Sequence, residues 1–148
     1  MSSGNQKKGK GPTRLTFSDT TPSWYKRAWK GVMPRIQQYA KFAGVHVKEI
    51  HVHWHEDTRR NQCSLGEELG GKITLCTHPT DEDTIIHEVA HVAVDGQHNE
   101  EWARLFVKMA NHFLPKYKAA TAIYDAWKSY KSIAKVCPNP LEQYEAQE

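Results

Sequence analysis

The sequence predicts a small α+β protein with an N-terminal helix, a short β-sheet and several C-terminal helices. Apolar residues recur at helical spacing from about residue 22, a segment rich in β-branched residues occupies the middle, and helical stripes return after residue 80. The order of a helix, then strands, then helices indicates the α+β class. The length of 148 residues suits one domain with a single core.

The two ends of the chain are expected to be flexible tails. Residues 1–20 are rich in Gly, Ser, Lys and Thr, and residues 138–148 are similar but acidic. Neither end holds enough large apolar groups to offset the entropy lost on ordering. We therefore expect the folded domain to lie within residues 21–137.

The first predicted helix begins near Pro22 and ends at Gly44, a residue type that commonly terminates helices. Pro34 lies inside this segment, so a kink or a break is expected there. The helical stripe consists of Tyr25, Ala28, Trp29, Val32, Ile36, Tyr39, Ala40 and Ala43.

Two strands are predicted in the middle of the chain. Residues 45–54 read VHVKEIHVHW, and their alternation directs apolar side chains to one face and imidazoles to the other. The apolar set is Ile50, Val52 and Trp54, and the imidazole set is His51, His53 and His55. Residues 56–71 are polar and end in paired glycines, which indicates a loop, and residues 72–77 predict the second strand.

Three further helices are expected. The first spans residues 81–94, with Thr80 or Asp81 as its cap and Asp95-Gly96 as its end. The second begins at Asn99, and the third follows Pro115. Their apolar stripes are Trp102, Leu105, Phe106, Met109 and Phe113 in the second, and Ala120, Ile123, Tyr124 and Trp127 in the third.

Composition excludes several classes of protein. No apolar run approaches the roughly 18–20 residues that span a bilayer, and the basic N-terminus is followed by no apolar stretch of a secretory signal. We therefore expect an intracellular protein without a membrane partner. The three cysteines lie far apart and form no CxxC pair, which argues against a disulfide framework or a cysteine-based zinc site.

Residues 87–91 read HEVAH, which is typical of a catalytic zinc site. Four residues make about one helical turn, so His87 and His91 share a face and can reach one Zn²⁺ at about 2.1 Å. Glu88 lies about 100° from His87 around the helix axis, where it can touch a water on the metal. This pattern predicts hydrolysis by a zinc-activated water with Glu88 as the general base.

The residues around this motif are apolar, so the helix is expected to be buried. They are Ile85, Ile86, Val89, Ala90, Val92 and Ala93. Burying three ionisable groups in such a helix is costly without a partner, and a metal ion is the simplest partner. The sequence therefore predicts one zinc ion per chain.

A catalytic zinc ion usually has three protein ligands and a water. The candidates for the third ligand are His98, Glu100 and Glu101. The metzincin pattern HExxHxxGxxH would need Gly at Val94 and His at Gln97, and neither is present. The turn at Asp95-Gly96 could bring His98 back to the metal.

The segment HEVAHVAVDGQHNEEW resembles the core of SprT-like metallopeptidases, the family of the Spartan DNA–protein crosslink proteases. Their pattern is HExxH, a short connection often containing Asp-Gly, and a His followed by Gly-Pro-Glu-Phe or Gly-x-x-Trp. His98 matches the third histidine, and Glu101 and Trp102 match the acidic and aromatic positions. Asn99 and Glu100 replace Gly and Pro.

The resemblance is specific over residues 81–109 and implies a zincin-like domain whose zinc ligands are His87, His91 and His98. It also implies a protein or peptide substrate, including proteins associated with DNA. In zincins an edge strand above the metal pairs with extended substrate, a form of β-augmentation. This role is assigned by resemblance to Lys72, Ile73, Thr74, Leu75, Cys76 and Thr77. An oxyanion donor is also needed, and Tyr117, Tyr124 and His112 stay open as candidates.

Charge is distributed unevenly. Residues 1–60 hold 12 Lys and Arg against 4 Asp and Glu, a net charge of +8, whereas residues 61–148 hold 8 against 13, a net charge of −5. A solvated tail with a basic helix face is the commoner cause of such asymmetry, and a contact with a polyanion is the other. DNA is therefore a candidate partner through the basic N-terminal part. Trp24, Tyr25 and Trp29 beside Lys26, Arg27 and Lys30 could stack on bases, but residues in this pattern more often form helix core beside a solvated basic face.

Two other functions stay open. A zinc-dependent ribonuclease family uses HxxxHxxxxxH, but with Gly at the position of Glu88 and with its third His one position before His98. A non-catalytic, zinc-stabilised module that binds nucleic acid is the other alternative. His51, His53 and His55 are also a candidate second metal site, because side chains two apart on a strand can converge on an ion.

Overall fold

The computed structural model describes residues 12–54, 62–64, 71–94 and 98–137. The chain divides into two compact units, residues 1–95 and residues 96–148. The elements of the first unit are β1 (Arg14–Phe17), α1 (Ser23–Ala43), β2 (Glu49–Val52), β3 (Gln62–Ser64), β4 (Lys72–Leu75) and α2 (Glu82–Ala93). Those of the second unit are α3 (Glu100–Phe113), α4 (Lys116–Ser129) and α5 (Lys131–Val136). The protein is therefore mostly helical with a small sheet, which confirms the predicted mixture of α and β structure.

The sheet has four strands in the order β1-β2-β4-β3. The first three are parallel, with Leu15 opposite Ile50 and Ile50 opposite Ile73, whereas β3 runs antiparallel to β4. Ile50, Val52 and Trp54 are buried and His51 and His53 are half-buried, as the alternation predicted, and His55 lies outside the described residues. The apolar face of the sheet thus forms part of the core of the first unit.

Two strands lie where none was predicted. β1 falls within residues 1–20, so the prediction of a flexible tail is wrong for Arg14–Phe17. The Arg14 amide donates to the Lys48 carbonyl at 2.9 Å, and the Thr16 hydroxyl donates to the Glu49 carboxylate at 2.9 Å.

β3 falls within the predicted loop, and β4 ends at Leu75, two residues before the predicted strand end. Residues 1–11 and 138–148 lie outside the described residues.

Of the kink or break predicted at Pro34, the break is wrong, because α1 continues through it from Ser23 to Ala43. Pro34 lies on the exposed side of the helix, where the carbonyl of residue 30 that loses its helical partner can bond to water. The opposite side is buried through Tyr25, Trp29, Ile36, Tyr39 and Ala40. α1 ends at Gly44, as predicted, with a left-handed φ of 75°.

The second unit is helical. Asn99 caps α3, since its side-chain oxygen accepts a hydrogen bond from the Trp102 amide at 2.9 Å. The predicted α3 stripe is buried at Trp102, Phe106 and Met109. The buried residues of α4 are Ala119, Ala120, Ala122, Ile123 and Ala126, and α5, which was not predicted, buries Ile133. Among the described residues, no helix combines the length and the apolar character needed to cross a membrane.

Candidate metal centre

α2 carries the HEVAH motif in the predicted register. Ile85, Ile86 and Val89 are buried and hold the helix in the core of the first unit. The imidazole rings of His87 and His91 lie one turn apart, with ring centroids 4.9 Å from each other. His91 is 8% exposed and His87 is half-buried, so the pair is reachable from one side.

The beginning of α2 is fixed to α1 by hydrogen bonds. The Tyr39 hydroxyl donates to Glu82 at 2.7 Å, and the Arg35 guanidinium donates to the same carboxylate at 3.2 Å. Asp81 occupies the N-cap position, but its side chain makes no capping bond and accepts instead from the Thr77 hydroxyl. These contacts set the position of the helix and hence that of His87 and His91.

Three of the predicted ligands come together. The ligand atoms of His87, His91 and His98 all lie within 4.8 Å of one another, so the three side chains could hold one metal ion. For comparison, nitrogens that share a tetrahedral ion at about 2.1 Å are about 3.4 Å apart. Within the described part of the chain, this is the one group of three or more His, Cys, Asp or Glu residues so arranged.

The donor chemistry also fits a transition metal. A histidine ligates through its neutral form, and burial lowers the pKa of His98 and so favours that form. Three imidazoles suit zinc as well as copper, iron or nickel, so the donors fix the class of ion and not its identity.

Glu88 lies between the two histidines of the motif in sequence and is only 7% exposed. Burial raises the pKa of its carboxyl group to about 7. A carboxyl group whose pKa lies near neutral pH can accept and release a proton under physiological conditions. Its burial and its pKa therefore suit the predicted role of general base.

The other two candidates for the third ligand lie elsewhere. Glu100 pairs with Arg104 at 3.3 Å and with Lys135 at 3.7 Å on the surface of the second unit. Glu101 is exposed. His98 is therefore the one candidate that the structure groups with the two histidines of the motif.

The assignment of substrate pairing to β4 is wrong. β4 is an interior strand, because it pairs with β2 on one side and with β3 on the other. Lys72, Ile73 and Thr74 have partners in both neighbouring strands, so their backbone cannot receive a substrate strand. The neighbouring strand β3 could not be predicted from the sequence, because it has only three residues and lies in a polar segment.

The candidate oxyanion donors have ordinary surroundings. Tyr117 is 56% exposed, Tyr124 stacks on Trp127, and His112 lies edge-on to Phe113. Two aromatic residues do lie against a proposed ligand: Tyr130 stacks on His98 at 3.8 Å, and Trp102 lies edge-on to it at 4.6 Å. Sequence reasoning missed Tyr130, which falls between two helices and belongs to no periodic stripe.

The strand histidines of the candidate second metal site lie beside each other. His51 and His53 have ring centroids 4.8 Å apart, and His51 Nδ1 lies 2.8 Å from the Thr16 hydroxyl. Tyr25 and Trp29 are buried, at 1% and 0% exposure, which confirms the more common interpretation of them as helix core and excludes them from stacking on bases. Trp24, in contrast, is 56% exposed.

No protein-family model, curated protein or solved structure matches this chain. A function for the protein therefore has to be argued from the residues and the geometry of the site itself.

Proposed function

We propose that this protein is a zinc-dependent metallopeptidase in which His87, His91 and His98 hold one zinc ion and Glu88 is the general base. The grouping of the three histidine ligand atoms within 4.8 Å carries the proposal. The resemblance of residues 81–109 to SprT-like metallopeptidases supports it independently and favours a zincin-like domain.

A bound zinc ion would supply Lewis-acid chemistry, polarising the substrate carbonyl and acidifying the attacking water. Glu88 would take the proton from that water and deliver it to the nitrogen of the departing amine. Both steps use the same carboxyl group, which must accept a proton and then release it. His98 completes the three protein ligands that a catalytic zinc site requires.

Glu88 favours peptide hydrolysis over the ribonuclease alternative, whose motif has Gly at that position. An extended peptide would add to the outer edge of β3, since β3 is an edge strand of the described sheet and packs against α2. The proposed substrate is thus an extended segment of a protein, including one associated with DNA.

Glu88→Gln tests the proposal most simply. This variant keeps the shape of the side chain but removes the proton acceptor, so hydrolysis of an unfolded protein such as reduced casein should fall by about 10²-fold or more. Asp125→Asn is the matched control, since Asp125 is an exposed acid of α4, and it should keep the wild-type rate. A Glu88→Gln protein as active as the wild type would refute the assigned mechanism.

The same preparations separate the alternatives. Cleavage of single-stranded RNA that is lost in His98→Ala, without any peptide hydrolysis, would favour the ribonuclease. Metal binding with neither activity would favour the non-catalytic module.

We also propose that the exposed side of α1 contacts nucleic acid. Residues 23–43 contain five basic residues and no acidic one, and Arg27, Lys30 and Lys41 are exposed. Trp24 lies at the beginning of the same helix with 56% exposure, where it can stack on an unpaired base. Charge and aromatic exposure thus favour single-stranded nucleic acid as the partner.

Salt dependence tests this contact. Arg27→Ala with Lys30→Ala should weaken binding to a labelled single strand and reduce the slope of log affinity against log salt by about 1.4. The matched control is Lys116→Ala with Lys118→Ala, two exposed lysines that flank the exposed Tyr117. Equal losses in the two double variants would mean that binding is nonspecific. Deleting residues 1–11, which spares β1, separates the contribution of the N-terminal segment.

A further inference from the structure

His98 is held between two aromatic side chains of the second unit. The Tyr130 ring stacks on its imidazole with a centroid distance of 3.8 Å and an interplanar angle of 14°. The Trp102 indole lies edge-on to the same imidazole at 4.6 Å and 89°. Trp102 also lies edge-on to Tyr130 at 5.5 Å, so the three rings contact one another as a closed group.

Both aromatic partners of His98 are fixed in place. Trp102 is fully buried and stacks on Phe106 at 5.1 Å. Tyr130 joins α4 to α5 in an extended conformation, with its amide donating to the Ala126 carbonyl at 2.8 Å and its carbonyl accepting from the Ile133 amide at 3.2 Å.

α5 is anchored in turn, which fixes the Tyr130 backbone. Ile133 is fully buried, and the Lys135 ammonium lies 3.7 Å from the Glu100 carboxylate in the first turn of α3. His98 precedes α3 by two residues. The short helix α5 therefore holds Tyr130 against the residue at the entrance to α3.

The His98 side chain needs such support. It lies outside any helix, unlike His87 and His91, so no regular backbone restricts its ring. A metal ligand must present its nitrogen within about 0.5 Å and 10–20° of the required geometry. A ring stacked face to face limits the tilt of the imidazole while leaving its in-plane nitrogens available to a ligand.

We propose that Tyr130 is a positioning residue for the metal ligand His98, its stacked ring fixing the imidazole plane from which His98 completes the three-histidine site. This inference rests on the proposed metal site. The positioning role belongs to the aromatic ring of Tyr130, so a phenylalanine at this position should position His98 equally well.

The test uses the full chain with Co²⁺ as the metal probe. Affinity is measured by competition with a chelator, and the ligand field by the visible absorption of bound Co²⁺. The variants are Tyr130→Phe, Tyr130→Leu and His98→Ala, with Tyr124→Leu as the matched control. Tyr124 is a half-buried tyrosine of α4 that also stacks on an aromatic ring, that of Trp127, at 14°.

Tyr130→Leu should weaken Co²⁺ binding about 10-fold to 100-fold, the range typical of residues that orient a ligand, and should alter the Co²⁺ spectrum. Tyr130→Phe should keep both the affinity and the spectrum of the wild type, and Tyr124→Leu should change neither. Adding Tyr130→Leu to His98→Ala should cause little further loss, because both changes act through the same ligand. If Tyr130→Leu fails to give the wild-type circular dichroism, Tyr130→Met replaces it, since Met also fills the volume without a ring.

Thermal unfolding of the metal-free variants separates positioning from packing. Wild-type affinity and spectrum in Tyr130→Leu, with a lowered Tm of the metal-free protein, would overturn the inference and leave Tyr130 as a packing residue only. A wild-type protein that binds no Co²⁺ would overturn both this inference and the proposed metal site. Wild-type Co²⁺ binding that Tyr130→Leu weakens, without any peptidase activity, would support the inference while refuting the proposed reaction.

Discussion

At the scale of single residues, the distinctive feature is a carboxyl group buried in an apolar helix. Glu88 is 7% exposed, and burial raises its pKa to about 7 from the ordinary value of 4.5. A structural residue at this position would be expected to be apolar, since a buried carboxylate destabilises the folded state. Retaining it is understandable if the carboxyl group is used for proton transfer.

The raised pKa predicts how stability depends on pH in the metal-free protein. Between about pH 4.5 and pH 7 the unfolded chain releases the Glu88 proton while the folded chain keeps it, so the free energy of unfolding falls as pH rises. In total the free energy of unfolding falls by about 3 kcal/mol, and the fall is complete above pH 7. Urea unfolding with chelator present measures the free energy of unfolding at pH 5 and at pH 8. Its decrease between these two pH values should be smaller in Glu88→Gln than in the wild type. Equal losses would contradict an elevated pKa for Glu88.

At the scale of secondary structure, Gly71 directly precedes β4 and is hydrogen-bonded to the start of β2. Its φ is 87°, and its carbonyl accepts hydrogen bonds from the amides of Lys48 and Glu49 at 2.8 and 3.2 Å. A Cβ atom here would lie 2.9 Å from the His46 carbonyl oxygen. Both the backbone conformation and the close approach thus require glycine.

Two glycine substitutions should therefore have opposite effects. Gly71→Ala should lower the free energy of unfolding by about 2 kcal/mol or more, through the left-handed φ and the collision with backbone. Gly31→Ala, in the middle of α1 with no atom within 4 Å of the added Cβ, should raise it by about 0.5–1 kcal/mol. Chemical denaturation measures both, and a stable Gly71→Ala protein would contradict the described approach of β4 to β2.

The long periodic helices were predicted from the sequence, whereas the short strands β1 and β3 were not. The stripes of α1 and α3 extend over several turns, so neighbouring residues reinforce one pattern. β1 and β3 have four and three residues, and their pairing partners lie far along the chain. That pairing decided their structure, and also made β4 an interior strand, in a way that local composition does not reveal.

The same contrast holds in the candidate site. His87 and His91 could be paired from the sequence because one helical turn separates them. Grouping His98 with them depended on the resemblance to a family, since spacing left Glu100 and Glu101 open. The contact of Tyr130 with His98 joins residues 32 positions apart and could be found only from the structure.

At the scale of the whole molecule, a bound metal should couple the site to folding. Two proposed ligands belong to α2 and the third precedes α3, so metal binding would favour the folded form of both segments. The ion would stabilise the native protein by mass action, increasingly so as its free concentration exceeds the Kd. A loss of metal should consequently appear as a loss of stability as well as of activity.

The three-histidine zinc site can be tested by the metal content of three proteins purified side by side. Elemental analysis after reconstitution with zinc should find one zinc ion per chain in the wild type and in Glu88→Gln, and none in His98→Ala. That result would establish the three-histidine site and separate metal binding from the proton transfer assigned to Glu88. A wild-type protein without zinc, or a His98→Ala protein with one zinc ion per chain, would refute the site.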